Sequence, residues 1–550
     1  MLPQIFRFVF YPLLLVMMFS CQGTTSTQQT QPISGPNILL AISDDQSYPH
    51  TSIYGFQSVQ TPAFDRIAKE GVLFTQAFAG SPGCSPSRAA LLTGRHCWQL
   101  EHAGTHASFF SPKYVSYPDL LKEAGYAVGY TGKGWGPGDW KESGRANNPA
   151  GPEWNLHTLS SEEGISNKDY SANFRSFLES RDSDQPFCFW FGAHEPHRKF
   201  GDGLGLKAGK QLSSVDVPGF LPDAEVVRSD ILDYCHEIEW FDKHLGHMIH
   251  LLEEAGELDN TLILVTSDNG MAFPRAKATA YEYGVHVPLA IRWGKAVPAG
   301  RTVDDLIGFV DLAPTILEAT GVAHPETHPM IGKSILSLLK SDKSGIVEPA
   351  RTAVFSSRER HSSSRYHTLG YPQRVMRTHE YAYIRNFKPE RWPSGAPVKY
   401  GVGNYPQKDA IQKQELGPEH GGYHDIDACP TLSYLIEQRE SPDVSPYFHL
   451  SVDHRPSEEL FNIQEDPFCL KNLATDPTYL SVLESLRTQL MEELTKTGDP
   501  RVNENGDIWE TYPRLSRLRA FPEPAWAKEH PEGVPEQPWL EKHWAKQLGN

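Results

Sequence analysis

A chain of 550 residues with 39% hydrophobic and 11% aromatic residues has the composition of a globular protein and is too long for one ordinary core. Its net charge of −17 argues against nucleic acid as a partner, because phosphate backbones call for basic stripes. An anionic ligand would have to be drawn by a local basic pocket rather than by the whole surface.

Residues 1–21, MLPQIFRFVFYPLLLVMMFSC, carry one Arg ahead of an apolar stretch too short for a stable membrane span, and read as a secretory signal. Ser20-Cys21 followed by the polar QGTTSTQQTQP resembles a bacterial lipoprotein cleavage site. Lipid on Cys21, a polar tether over 22–35 and export to the periplasm or cell surface are therefore expected, with simple secretion as the alternative. The membrane would be touched only through that anchor. Apart from Cys21 and Cys84, the cysteines are Cys97, Cys188, Cys235, Cys429 and Cys469, whose odd number and irregular spacing give neither a disulfide framework nor a zinc pattern.

In chain order, Asn37–Ser43 (NILLAIS) is an apolar run expected of a strand buried on both faces, and it ends in Asp44 and Asp45. Two adjacent carboxylates at a strand end repel one another unless a cation compensates them. Thr61-Pro62 starts a helix that Gly71 ends. Cys84–Arg95 (CSPSRAALLTGR) places a cysteine before a proline suited to a first helical turn, so Cys84 is expected at a helix N-terminus, where backbone N–H groups and Arg88 favour an anion. Pro118–Ala124 reads as a helix and Tyr126–Thr131 as a strand ending at Lys133, just where ligands bind in open α/β sheets. Phe187–Ala193 is another buried strand, followed by His194, Glu195, Pro196 and His197; a His at this strand end could serve as a general acid, and His197 could equally be a supporting or structural residue.

Asp230–Glu254 has the periodicity of a long amphipathic helix with Cys235 in its core face and His236, His244, His247 and His250 solvated or paired with nearby loops. Thr261–Ser267 is a strand ending in Asp268 and Asn269, and the following loop offers Arg275 and Lys277. Val285–Trp293 and an Asp311-capped helix to Gly321 close the large domain. From about Glu348, Thr352–Phe355, Gln373–Arg377 and Tyr381–Asn386 read as an antiparallel sheet, with a helix at Tyr479–Thr495. The polar run Arg358, Glu359, Arg360 and His361 either reaches the site or forms a solvated loop. The boundaries expected are 36–347 for the catalytic domain, 348–500 for a C-terminal subdomain and 501–550 for a surface wrap.

CSPSR followed by LLTGR resembles the signature of the type I sulfatases, and HEPHR, SDNGMAFP and the ELFNIQEDPFCLKNLA segment extend the resemblance toward the N-sulfoglucosamine sulfohydrolase branch. The resemblance implies an alkaline-phosphatase-like fold: a large mixed sheet with helices on both faces, plus a smaller C-terminal α+β subdomain with an antiparallel sheet. It further implies that a maturation enzyme oxidises Cys84 to formylglycine. Asp44, Asp45, Asp268, Asn269 and an oxygen of modified Cys84 would then hold one divalent cation such as Ca²⁺, hard oxygen ligands with no soft one for zinc. Arg88, Lys133 and Lys277 would hold the sulfate group, with Arg275 as the alternative to Lys277, and His194 would contact the substrate. The substrate class implied is a sulfated carbohydrate bearing sulfate esters or sulfamates. In one respect the chain departs from the family: the His expected two or three residues after Lys133 is missing, the chain reading Gly134, Trp135, Gly136. A phosphoester or phosphonate hydrolase of the same superfamily and an inactive glycan-binding lipoprotein are the competing readings.

Overall fold

The computed structural model describes residues 1, 4 and 35–547, apart from 326, 328, 399–421 and 504. The signal, apart from residues 1 and 4, and Cys21 lie outside them. Among the described residues, no helix is long and apolar enough to cross a membrane. From residue 35 onward the described chain forms one compact unit.

β1 (Asn37–Ser43) is buried at every position and lies in the middle of an eight-stranded sheet. Its neighbours are β4 (Phe187–Gly192) and β5 (Thr261–Ser267), both parallel to it, and β3 (Ala127–Gly132) adds in parallel outside β4. On the other side, β6 (His286–Arg292) runs antiparallel to β5 and to β2 (Val72–Phe78), and β7 (Arg301–Val303) and β8 (Ile307–Gly308) pair with β2 in parallel. The sheet is therefore mixed, but its β3-β4-β1-β5 half is wholly parallel. All four of those strands end on one edge. The near-continuous apolar runs of β1, β4 and β5 follow from burial on both faces.

Leu39, Ala41, Phe189, Phe191, Ile263 and Val265 form one face of the sheet and pack with α1 (Pro62–Lys69), α4 (Tyr170–Ser180) and the long α6 (Glu225–Glu254). Ile38 and Leu40, which point to the opposite face, are equally buried. α2 (Cys84–Thr93) and α3 (Tyr117–Glu123) pack with each other and with the helix Leu312–Thr320. The one-turn α5 (Leu204–Lys207) lies between β4 and α6. A second sheet is antiparallel throughout, in the order β12 (Glu458–Asn462), β11 (Tyr381–Asn386), β10 (Gln373–Arg377), β9 (Val354–Arg358). The helix Leu480–Lys496 lays Leu483, Leu486, Leu490 and Leu494 against Tyr383 and Leu460 of that sheet.

Several local expectations need correction. α6 begins at Glu225, five residues before the expected start at Asp230. His244 on it is buried rather than solvated, edge-on to Tyr170 and bonded to Ser171, while His236 pairs with Glu162 in a loop. Asp311 does not cap Leu312–Thr320 through its side chain; its carboxylate accepts from Gly308 N and Lys333 N. The strands β2 and β12 carry no clean alternation and escape a reading by period. The six described cysteines are all free and buried.

Candidate active site

Because β3, β4, β1 and β5 are parallel and adjacent, their carboxyl ends deliver Lys133, His194, Asp44-Asp45 and Asp268-Asn269 to one place. Backbone bonds beyond the ladders hold these ends in register: Asp44 N donates to Glu195 O, Asp268 N to Ser43 O and Lys133 N to Gly192 O, at 2.9, 3.1 and 2.7 Å. Asp45 takes a positive φ of 77°, which turns the chain sharply after β1, and its N–H donates to Asp268 Oδ1 at 3.1 Å. Asp44, Asp45, Asp268 and Cys84 each place one atom within 4.8 Å of the others'. All four side chains are buried.

Cys84 opens α2, with Gly83 as the extended residue before it, as the Pro86 position implies. Its Sγ lies 3.8 Å from Asp45 Oδ1. Burial, reinforced by the charge of Asp44, pushes the thiol well above its ordinary pKa. A thiol held protonated is a poor nucleophile.

Three cations surround the carboxylates. Arg88 is completely buried; its Nε donates to Asp268 at 2.7 Å and its Nη1 to the carbonyls of Lys133 and Gly134 at 2.7 and 3.0 Å. Lys133 Nζ reaches both Asp44 oxygens at 2.6 and 2.8 Å. Lys277 Nζ bridges Asp45 at 2.6 Å and Asp427 at 3.0 Å. Arg275 is turned away, donating to the carbonyls of Leu450 and Cys469 and covering the Tyr281 ring. Of the two cations that loop offers, it is Lys277 that faces the site.

Burial pushes the Asp44 carboxyl up, but Lys133, His197 and Arg88 pull harder and leave it well below the carboxylate range. Asp268 instead is pushed up to about 7 by burial and by the charge of Asp44. One of these carboxyls thus resists ionisation, as expected of three acids crowded together. A divalent cation would relieve that crowding, and the donor set fits one: three carboxylates and Asn269, whose Oδ1 is buried without any hydrogen-bond partner while its Nδ2 donates to Asp45 at 2.7 Å.

His194 and His197 both line a cavity of about 680 Å³ with Asp44, Lys133 and Arg198. Burial brings His194 down to about 4, which keeps its imidazole neutral. His197 Nε2 lies 3.9 Å from Asp45 and belongs with Asp44 and Cys84 to a second close group, nearer the nucleophile position than its place in HEPH indicates. Trp135 fills the site after Lys133 where a His is missing; its indole N–H donates to Ser85 O at 2.9 Å and so braces the first turn of α2. The run Arg358–His361 is buried, not a solvated loop, and His361 packs on His106 beside Gly83. Asp427 and His106 had no signal in the sequence, since neither belongs to a motif and Asp427 lies 150 residues beyond its partner Lys277.

A sulfatase family model matches residues 36–322, and one for the C-terminal region of N-sulphoglucosamine sulphohydrolases matches 275–392. The chain belongs to the sulfatase family. It is 28% identical over 515 residues to human N-sulphoglucosamine sulphohydrolase, covering 85% of this chain and 91% of that one. An "ulvan-active sulfatase" of Formosa agariphila is 27% identical over 478 residues, with 84% and 81% covered. A solved structure described as bound to its substrate, D-glucosamine-2-N,6-O-disulfate, superposes with a TM-score of 0.59 over 86% of this sulfatase and 99% of that chain, at 21% identity. That last likeness speaks for the fold. The sulfatase is a sulfate-ester hydrolase.

Proposed function

We propose that this sulfatase removes sulfate from a sulfated oligosaccharide or polysaccharide, using formylglycine made from Cys84 and one divalent cation, Ca²⁺. The observation that carries the reading is the cluster of Asp44, Asp45 and Asp268 around the atom at position 84, ringed by Arg88, Lys133 and Lys277, with Asn269 bonded to Asp45 and its Oδ1 buried without a partner. Asp44, Asp45, Asp268 and Asn269 would hold the cation, which when bound polarises a sulfate oxygen and favours ionisation of a neighbouring hydroxyl. Oxygen ligands alone suit Ca²⁺.

Lys133 and Lys277 hold the remaining sulfate oxygens as fixed charge, and Arg88 keeps Asp268 oriented. Formylglycine hydrates to a geminal diol. One diol hydroxyl loses its proton to solvent and its oxygen attacks sulfur, and the bond from sulfur to the sugar oxygen or nitrogen breaks. The leaving group takes a proton from His194, whose imidazole gains one once the sulfate anion lies beside it. The second diol hydroxyl then gives up its proton to solvent as the carbon–oxygen bond to sulfate breaks, releasing sulfate and restoring the aldehyde. No water need attack sulfur.

The export signal, the lipid on Cys21 and a maturation enzyme acting on Cys84 complete this proposal. The test is ion chromatography of sulfate released from defined sulfated oligosaccharides, with mass spectrometry of the Cys84 peptide. Sulfate release is expected together with a peptide that has lost one sulfur and two hydrogens and gained one oxygen. Dominant phosphate-ester turnover, or an unmodified thiol in active protein, would refute it.

A further inference from the structure

Asp427 is an acidic residue paired with Lys277, one of the three cations of the site. Lys277 already has a carboxylate partner in Asp45 at 2.6 Å, and Asp427 adds a second at 3.0 Å. It also lies within 4.8 Å of His197, which lines the cavity, and about a third of its side chain is exposed. The Lys277 ammonium sits between Asp45 and Asp427.

Its placement is rigid. Two residues before it, Asp425 accepts from Arg358, from Ser362 N at 3.0 Å and from Ser362 Oγ at 2.8 Å. Four residues after it, Thr431 Oγ1 donates to Asp230 at 2.6 Å, and Asp230 is clamped by both ends of the Arg198 guanidinium at 2.7 and 2.9 Å. The short stretch between these anchors has little freedom to swing its carboxylate aside. Burial raises the Asp427 carboxyl, but Lys277, His197 and His361 outweigh it, so it is ionised.

An ionised carboxylate is an acceptor only. Beside a bound sulfate it repels any second anion and attracts a hydroxyl or ammonium donor. We propose that Asp427 determines specificity: it accepts a hydrogen bond from a hydroxyl or ammonium group of the sugar next to the sulfate being removed, and it selects against a second sulfate or carboxylate at that place. This rests on the sulfated-sugar reading above. It makes Asp427 a contact to the sugar rather than a brace for Lys277, and the two roles differ in their response to charge removal.

The experiment compares the full-length, calcium-loaded protein with its Asp427→Asn and Asp427→Ala variants. Calorimetry measures the affinity for inorganic sulfate, and ion chromatography measures kcat/KM on N-sulfo-D-glucosamine, N-acetyl-D-glucosamine 6-sulfate and L-rhamnose 3-sulfate. Inorganic sulfate should bind both variants severalfold more tightly, because a like charge has gone. On the sugar the parent turns over, kcat/KM should fall at least about tenfold, mostly through KM, as a hydrogen bond to a charged group is lost. Weaker sulfate binding would show that Asp427 only positions Lys277, and unchanged kcat/KM on sugars would show that no donor is bound; either overturns the proposal. A parent that binds sulfate yet hydrolyses none of the three sugars counts against the function proposed above, and the sulfate affinities still decide the place of Asp427.

Discussion

Arg88 has no exposed surface, and one of its terminal nitrogens, Nη2, has no hydrogen-bond partner, lying 3.7 Å from Asp44. The guanidinium survives burial because its other nitrogens reach Asp268 and two backbone carbonyls at once, a geometry that a lysine ammonium on a single stem cannot copy. Removing one partner of a buried ion pair leaves the other charge uncompensated, which costs about 3–5 kcal/mol. Arg88→Ala should therefore lose roughly that much unfolding free energy in urea titrations, together with sulfate release. A variant unfolding at the parent's urea midpoint would contradict this. The same residue illustrates what a motif conveys: CSPSR announces an Arg four residues after the Cys, but not that it binds Asp268 from a strand 180 residues later.

At the scale of elements, α1 and α6 share a device that neither sequence segment discloses. Pro62 at the first position of α1 has no N–H, and Thr61 makes no side-chain cap. The next two N–H groups, of Ala63 and Phe64, donate at 2.9 and 2.8 Å to the Asp242 carboxylate, which α6 supplies from elsewhere in the chain. Burial outweighs these bonds and pushes the Asp242 carboxyl up to about 7. A carboxyl that is more basic folded than unfolded binds more protons in the native state, so its contribution to stability declines as pH rises. The decline runs from about pH 4, where the unfolded chain ionises, to about pH 7. Asp242→Asn cannot ionise, so the stability difference between parent and variant should shift in favour of the variant across that window and level off above it. Parallel urea midpoints from acid to neutral pH would count against the assignment.

For the whole molecule, the crowding of Asp44, Asp45 and Asp268 links folding to cation binding. An ion that binds only the folded protein stabilises it by about 2.7 kcal/mol at a hundredfold excess over its Kd. Chelation should lower the melting temperature, and added Ca²⁺ should restore it where equivalent ionic strength from NaCl does not. Indifference of the melting curve to chelator, in protein shown to be metal-loaded beforehand, would mean that Arg88, Lys133 and Lys277 alone balance the carboxylates.

The sequence by itself determined the strands β1, β3, β4 and β5, the helix start at Cys84 and the acidic strand ends. These depend on local rules: an apolar run needs burial, a proline suits a first turn, and adjacent carboxylates need a counter-charge. It also carried the family, since CSPSR, HEPHR and SDNG are short contiguous segments. Only the tertiary structure decided which cation of the 275–277 loop faces the site, how near His197 comes to position 84, and that Asp427 meets Lys277. Those outcomes depend on contacts between segments far apart in the chain, where spacing along the sequence carries no information about distance in space. Trp135 belongs to both: the sequence shows the His missing, and the fold shows an indole bracing α2 in its place.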